Sequence, residues 1–146
     1  MDNLKEKVSV EIENIIQVLE ELKKVKDTSH KTTVELAGIA TFLHNFYLGV
    51  ENILKQILIF KQIQIPSSKR WHTDLLTIAK DKGIIKEHTK LQLAKYLAFR
   101  HFFTHAYSFF IDESKLKILI DSVFEVYSLF KKEIDAAISK EIENKK

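Results

Sequence analysis

The chain has 146 residues, a net charge of +3 and no cysteine, which excludes disulfides and thiolate metal sites. Hydrophobic residues make up 45% and charged residues 29%, a balance typical of a folded globular protein. No run of about 20 apolar residues occurs, so no membrane span is predicted and the cytoplasm is the expected location. The weak positive charge does not indicate a dedicated duplex binder, and DNA is not an expected partner.

The scarcity of glycine and proline indicates the fold class. The sequence contains 3 glycines and 1 proline, whereas sheets with many turns need both residue types. Its length fits one domain, residues 1–146. We therefore predict an all-α fold, an up-down bundle of four to five helices.

The first two helices have the clearest signals in the sequence, the spacing of apolar residues and a capping box. Apolar residues at helical spacing predict a helix from about Asn3 to Lys26. Thr32 and Glu35 have the spacing of a capping box, which predicts a second helix that runs to about Phe60. Its apolar face is broad, and this face and the fourth predicted helix are the expected dimer contact. Glu51 lies on its polar side and could face a functional site.

The stretch from Gln62 to Arg70 holds the only proline and is predicted to be a loop. A small basic cluster around the only tryptophan covers the last two residues of this loop and the next two residues: Lys69, Arg70, Trp71 and His72. One interpretation is a rim that binds an RNA backbone and stacks a base. The other is a tryptophan that anchors a short helix and has exposed basic neighbours.

Three further helices complete the prediction. A short helix is predicted over 73–79, and Gly83 is the expected glycine beyond its end. Thr89 and Gln92 repeat the capping-box spacing and predict the start of the fourth helix. The last helix is expected from about Lys115 to Ile142, after a turn at 111–114.

The fourth helix leads into Arg100 to Tyr107, which places a cation, two imidazoles and a phenol within eight residues. On a continuous helix, five residues turn through roughly 140°, so Arg100 and His105 would lie on opposite margins of one broad face. His101 and His105 would be neighbours. Either the helix bends there, or another helix or a second copy of the chain completes the site.

Histidine can transfer protons near neutral pH, and arginine is a permanent cation suited to phosphate oxygens. RNA carries its own nucleophile, the 2′-hydroxyl. A protein that deprotonates it and stabilises the phosphorane can cleave RNA without a metal, giving a 2′,3′-cyclic phosphate or its hydrolysed form. One histidine and one arginine, doubled by a dimer axis, would be a minimal set.

Two other interpretations of the same residues stay open at this point. His101 and His105 could bind zinc if Asp112 or Glu113 supplied a third ligand, although the glutamate of the HExxH motif is missing. Alternatively, the arginine, histidines and tyrosine could be buried polar groups at a helix contact. Composition alone favours the latter.

The longer context is more specific. The run from Phe99 to Tyr107, followed by Ile111 and Asp112, resembles the Arg-x4-His-x-Tyr signature of HEPN-domain ribonucleases of the HepT type. The stretches 43–56 and 71–76 also resemble HepT-like domains, so the resemblance covers roughly residues 33–125.

The resemblance implies a helical dimer that cleaves RNA in a shared cleft without metal or cofactor. It gives His105 the acid/base role, Arg100 the stabilisation of phosphate, and His101 a supporting role. HepT-type toxins pair with a nucleotidyltransferase antitoxin that can attach AMP to the motif tyrosine, here Tyr107. Some relatives lack the motif and act as non-catalytic partners of a nucleotidyltransferase, which is the alternative function.

Overall fold

The computed structural model describes residues 2–29, 31–105 and 112–145. A few of these residues are described by their backbone alone: Asp2, Thr104, His105, Ile142, Asn144 and Lys145. Every regular element in the described ranges is an α-helix, which confirms the predicted fold class. In chain order the helices are α1 (Asp2–Val25), α2 (Thr33–Phe60), α3 (Trp71–Asp81), α4 (Glu87–His105) and α5 (Glu113–Lys145).

Helix α2 is the centre of the bundle and packs against each of the other four helices. It begins with the predicted capping box, in which Glu35 N–H donates to the Thr32 hydroxyl and Thr32 N–H donates to the Glu35 carboxylate. Its broad apolar face is used within the chain and not in the expected dimer contact, because most of its large apolar side chains are fully buried. The helix therefore gives each neighbour a fixed surface to pack against.

The two long outer helices follow the apolar pattern of the sequence. The predicted stripe of α1 is buried along its whole length: Leu4, Val8, Ile12, Ile15, Leu19 and Leu22. Helix α5 runs to Lys145, further than the predicted end at Ile142. Near that end the buried carboxylate of Glu141 pairs with Lys61, just beyond the end of α2.

The start of α4 differs from the prediction. The helix begins at Glu87, and Thr89 lies inside it with only 1% of its surface exposed. The Thr89 hydroxyl donates to Glu133 of α5 over 2.7 Å, and the same carboxylate accepts the Lys86 N–H over 2.8 Å. A side chain from another helix thus caps α4, so the capping box expected from Thr89 and Gln92 is wrong.

The connection from α3 to α4 matches its prediction closely. Gly83 follows the C-terminal end of α3 with a φ of +74°, a conformation that glycine adopts without steric cost. Helix α3 itself begins at Trp71, two residues earlier than expected. None of the described helices combines the length and the hydropathy that a membrane crossing requires.

Candidate functional site

One face of α2 carries a polar stripe that points at α3 and α4. His44, Tyr47, Glu51 and Lys55 are spaced by three or four residues, so they share one side of the helix. Tyr47 and Glu51 are buried, and His44 and Lys55 are partly buried. Polar groups at this depth need partners, and α3 supplies them to Glu51 and Lys55.

Glu51 makes the principal contact. Only 1% of the residue is exposed, and its Oε2 atom lies 2.7 Å from Nδ1 of His72 on α3. A buried carboxylate without a partner would be very costly, so this contact is what allows Glu51 to remain in the core. Because a carboxylate only accepts hydrogen bonds, Nδ1 of His72 carries the hydrogen and donates it.

Arg100 lies on the other side of the same imidazole. Its Nη1 atom is 3.2 Å from Nε2 and 3.5 Å from Nδ1 of His72. The nearly equal distances to the two ring nitrogens place Nη1 over the face of the imidazole, so the guanidinium packs against the ring and does not lie in the plane of its lone pairs. We call these three residues (Glu51, His72 and Arg100) the Arg100 network.

The Arg100 guanidinium is held without being neutralised by a direct ion pair. Within the described ranges, no carboxylate lies within ion-pairing distance of Arg100, and Glu51 reaches it only through His72. The side chain is partly buried. A cation in this position keeps its charge available to an anion that enters from solvent.

Three buried polar atoms beside this network have no hydrogen-bond partner among the described residues: Nδ1 of His44, the hydroxyl of Tyr47 and Nε of Arg100. Burial, and then the charge of Arg100, lower the pKa of His44, whereas Glu51 opposes the shift. Burial, and then the charge of Glu51, raise the pKa of Tyr47. Both side chains are therefore neutral at physiological pH. The site contains buried hydrogen-bonding atoms that no described residue of the bundle uses.

Aromatic rings border the network on two sides. The Trp71 ring lies 3.6 Å from the His72 ring between centroids, and Nζ of Lys55 lies 4.1 Å from the Trp71 ring centroid. On α4, the Phe103 ring lies 5.4 Å from the His44 ring. These contacts fix the plane of the His72 imidazole and restrict the space around His44.

The structure separates the predicted basic cluster into two pairs. Lys69 and Arg70 are exposed, in the loop just before α3. Trp71 and His72 are partly buried and turn toward α2 and α4. An RNA-binding role for these four residues stays a prediction, and the two exposed cations are its best-placed members.

The described residues hold only part of the predicted catalytic set. His101 is exposed on α4, next to Arg100 in sequence. His105 is the last residue of α4, but its side chain is not described. Tyr107 lies outside the described residues. The expected meeting of Arg100, His105 and Tyr107 therefore stays a prediction.

The zinc alternative stays a prediction for the same reason, since it depends on the His105 side chain. Among the side chains that the structure describes, no group of three or more could hold a metal ion. Asp112 already accepts hydrogen bonds from the N–H and hydroxyl of Ser114, which lower its pKa and cap the start of α5.

The sequence alone did not reveal the role of Glu51 and His72. They are separated by 21 positions and come from different helices. One signal was present: Glu51 is spaced by four residues from both Tyr47 and Lys55, which places it on the same side of α2 as other polar side chains.

Comparisons with known proteins agree with this fold. The model of the family described as HepT-like protein matches residues 38–140, a range that spans the Arg100 network. No curated protein matches the sequence. The solved structure of YutE, a cytosolic protein of unknown function from Bacillus subtilis, is similar with a TM-score of 0.71. The alignment covers 91% of this chain and 92% of that chain at 18% identity, which supports the fold alone.

Proposed function

Because the chain belongs to the HepT-like protein family, within the HEPN superfamily, we propose that it is a metal-independent endoribonuclease. The observation that carries the proposal is the environment of the Arg100 guanidinium. Its guanidinium contacts His72 over 3.2 Å, lies beside buried polar atoms without partners, and has no direct carboxylate partner among the described residues. A cation held in this way is suited to an incoming phosphate group.

The chemistry follows from this assignment. In the proposed reaction, His105 removes the proton from the RNA 2′-hydroxyl, and the 2′-oxygen forms a bond to phosphorus. Arg100 stabilises the extra negative charge of the phosphorane. The bond from phosphorus to the 5′-oxygen then breaks, and that oxygen takes up a proton. The products are a 2′,3′-cyclic phosphate and a 5′-hydroxyl, so the reaction needs no metal.

Exposed polar groups near Arg100 would help to bind the substrate. His101 is the proposed supporting residue, since it is exposed and adjacent to Arg100 on α4. Lys69 and Arg70 directly precede Trp71 and His72, and they are the proposed contacts to the RNA backbone. Such contacts depend on charge, so they should weaken as salt concentration rises.

The proposed active form is a homodimer. Its support is an exposed apolar surface on α4 and α5 that includes Phe102, Ala98 and Ile118 and surrounds a groove of about 610 Å³. Phe102 is 46% exposed and, being two positions after Arg100, lies on the opposite side of α4. A second copy seated on this surface would bring two motif helices close together.

The proposed partner is a nucleotidyltransferase antitoxin, and the proposed physiological role is that of the toxin in such a pair. Addition of AMP to Tyr107 would place negative charge and bulk near the phosphate-binding cation. RNA would then be repelled and obstructed, which explains how one modification could inactivate the toxin.

The test is RNA cleavage by the purified protein in EDTA. His105→Ala should remove activity, because the acid/base group is lost. His88→Ala is the matched control: His88 is also on α4, is exposed, and lies in the first turn, far from Arg100 in sequence. Circular dichroism would verify that all three proteins are folded.

Cleavage by the parent and by His88→Ala, but not by His105→Ala, is the expected result. Equal cleavage by all three would indicate a contaminating nuclease and contradict the proposal. No cleavage by the folded parent would also contradict it, and would favour a non-catalytic partner of a nucleotidyltransferase.

A further inference from the structure

We propose that Glu51 and His72 are positioning residues that orient Arg100 for phosphate binding, and this inference rests on the proposed function. Neither residue belongs to the Arg-x4-His-x-Tyr signature. Both are fixed by the bundle: Glu51 is 1% exposed on α2, and the His72 side chain is 23% exposed on α3. The network therefore joins three helices at one guanidinium.

The first step is the anchoring of His72 by Glu51. The contact of 2.7 Å between Glu51 Oε2 and His72 Nδ1 requires the hydrogen on Nδ1. Arg100 Nη1 lies over the same ring, 3.2 Å from Nε2 and 3.5 Å from Nδ1. A ring turned away from Glu51 would no longer offer its face to the guanidinium. The carboxylate thus determines where the surface that supports Arg100 lies.

The second step is control of the orientation of the imidazole. The Trp71 ring packs against the His72 ring at 3.6 Å between centroids, and Lys55 packs against Trp71. The imidazole is therefore restrained by a hydrogen bond at one nitrogen and by a ring contact. Misplacement of a reacting group by about 1 Å can reduce a rate a hundredfold, so such restraints matter for catalysis.

The third step explains why an imidazole stands between the two charges. A direct pair of Glu51 with Arg100 would give the guanidinium a carboxylate partner that competes with phosphate. Through His72, Glu51 orients Arg100 and balances its charge at a distance. A purely structural contact would not require this arrangement, because apolar residues of similar volume often replace buried charged groups without loss of stability.

The key variant is His72→Asn. An asparagine amide can take the place of Nδ1 and donate to Glu51, but it has no ring over which the Arg100 guanidinium can pack. If His72 only satisfies the buried carboxylate, stability and activity should both be kept. We expect near-parental stability and a fall in kcat of about tenfold to a hundredfold. Parental kcat in the folded variant would overturn the inference.

A double-mutant cycle tests whether His72 acts through Arg100. In an Arg100→Lys background, His72→Asn should have less than about a twofold further effect, because the group that it positions is already altered. Tyr96→Phe is the stability control, since Tyr96 is on α4 but bonds Leu119 on α5. Full additivity of the two changes would overturn the inference.

A measurement that does not depend on activity separates failure of this inference from failure of the proposed function. The 15N chemical shifts of the His72 ring report its tautomer, and the exchange of the guanidinium protons of Arg100 with water reports how firmly it is held. The parent should show the hydrogen on Nδ1 and slow exchange. Glu51→Gln, which has nearly the same size, should mix the tautomers and accelerate exchange.

Two outcomes of this measurement are decisive. An unchanged tautomer and unchanged exchange in the folded Glu51→Gln variant would overturn the positioning role. If the parent cleaves no RNA and the spectra still change as expected, the nuclease proposal fails and the positioning of Arg100 stands.

Discussion

The two ends of α4 are both held by a glutamate from another helix, but with different results. At the N-terminal end, Glu133 accepts from the Lys86 N–H and the Thr89 hydroxyl. Toward the C-terminal end, Glu51 accepts from His72, which in turn contacts Arg100. Glu133 bonds α4 directly, whereas Glu51 reaches α4 only through His72.

The two ends differ in whether buried polar atoms remain without hydrogen-bond partners after these contacts are made. Each oxygen of Glu133 has a neutral donor from the protein, so the contact is complete within the bundle. Near Glu51, three buried polar atoms have no hydrogen-bond partner among the described residues, and one belongs to the Arg100 cation. Unpaired buried polar groups cost stability and occur where they serve another purpose. The first end of α4 is therefore structural, and we infer that the second is functional.

The largest expected effect is on activity at the functional end. Arg100→Ala should reduce RNA cleavage by about a hundredfold or more, because the cation that stabilises the phosphorane is removed. Stability should change little, since His72 still donates to Glu51. The measurement is kcat in EDTA beside chemical denaturation. Loss of folding together with activity would show that Arg100 is a packing residue and would remove the distinction between the two ends.

Glu133→Ala should lower stability and leave RNA cleavage nearly unchanged, the reverse of Arg100→Ala. The change leaves the buried Thr89 hydroxyl and the Lys86 N–H without their acceptor, so we expect a loss of about 2 kcal/mol in unfolding free energy. The melting temperature should fall by about 4–8 °C. Glu125→Ala, at an exposed position on α5, is the matched control and should change little. A large fall in cleavage by folded Glu133→Ala would contradict a purely structural role.

A smaller effect is expected from Tyr96→Phe, which lies between the two ends. The Tyr96 hydroxyl donates to the Leu119 carbonyl over 2.7 Å in the core. Loss of this bond should lower the unfolding free energy by about 1 kcal/mol, measured by urea denaturation. Tyr127 is a partly buried tyrosine on α5, and Tyr127→Phe is the control. Equal losses in both variants would indicate a packing effect.

The smallest expected effect is a pH dependence from His44. Its pKa is lowered in the folded state, so the unfolded state binds the proton first as pH falls below about 6.5. The unfolding free energy should therefore decrease as pH falls from neutrality toward the lowered folded pKa. His44→Phe should reduce this decrease and fit beside Phe103. An identical pH dependence in parent and variant, measured by denaturation at several pH values, would exclude His44 as its source.

Local features were predictable because short segments determine them. The five helices, the capping box at Thr32 and the left-handed glycine at position 83 follow from spacing and from residue types. The resemblance of the Arg100 to Tyr107 stretch to HepT-type proteins indicated the family that the comparison then supported. In each case the decisive residues lie within a few positions of one another.

The errors and omissions involve residues far apart in the chain. Thr89 looked like a capping residue, but its hydroxyl bonds a carboxylate 44 positions away. Glu51 looked like a polar-side residue, but it is buried against a histidine 21 positions away. Neither partner leaves a periodic trace in the sequence, because only the packing of helices brings them together.

The sequence by itself thus determined the helical class, the approximate helix ends and the chemical identity of the motif residues, since these depend on local periodicity and composition. Only the tertiary structure decided that the Arg100 guanidinium is held through His72 by the buried carboxylate of Glu51. The physical reason is that the stability of a buried charge depends on the groups that surround it in space. Those groups come from three helices whose arrangement is set by the whole core.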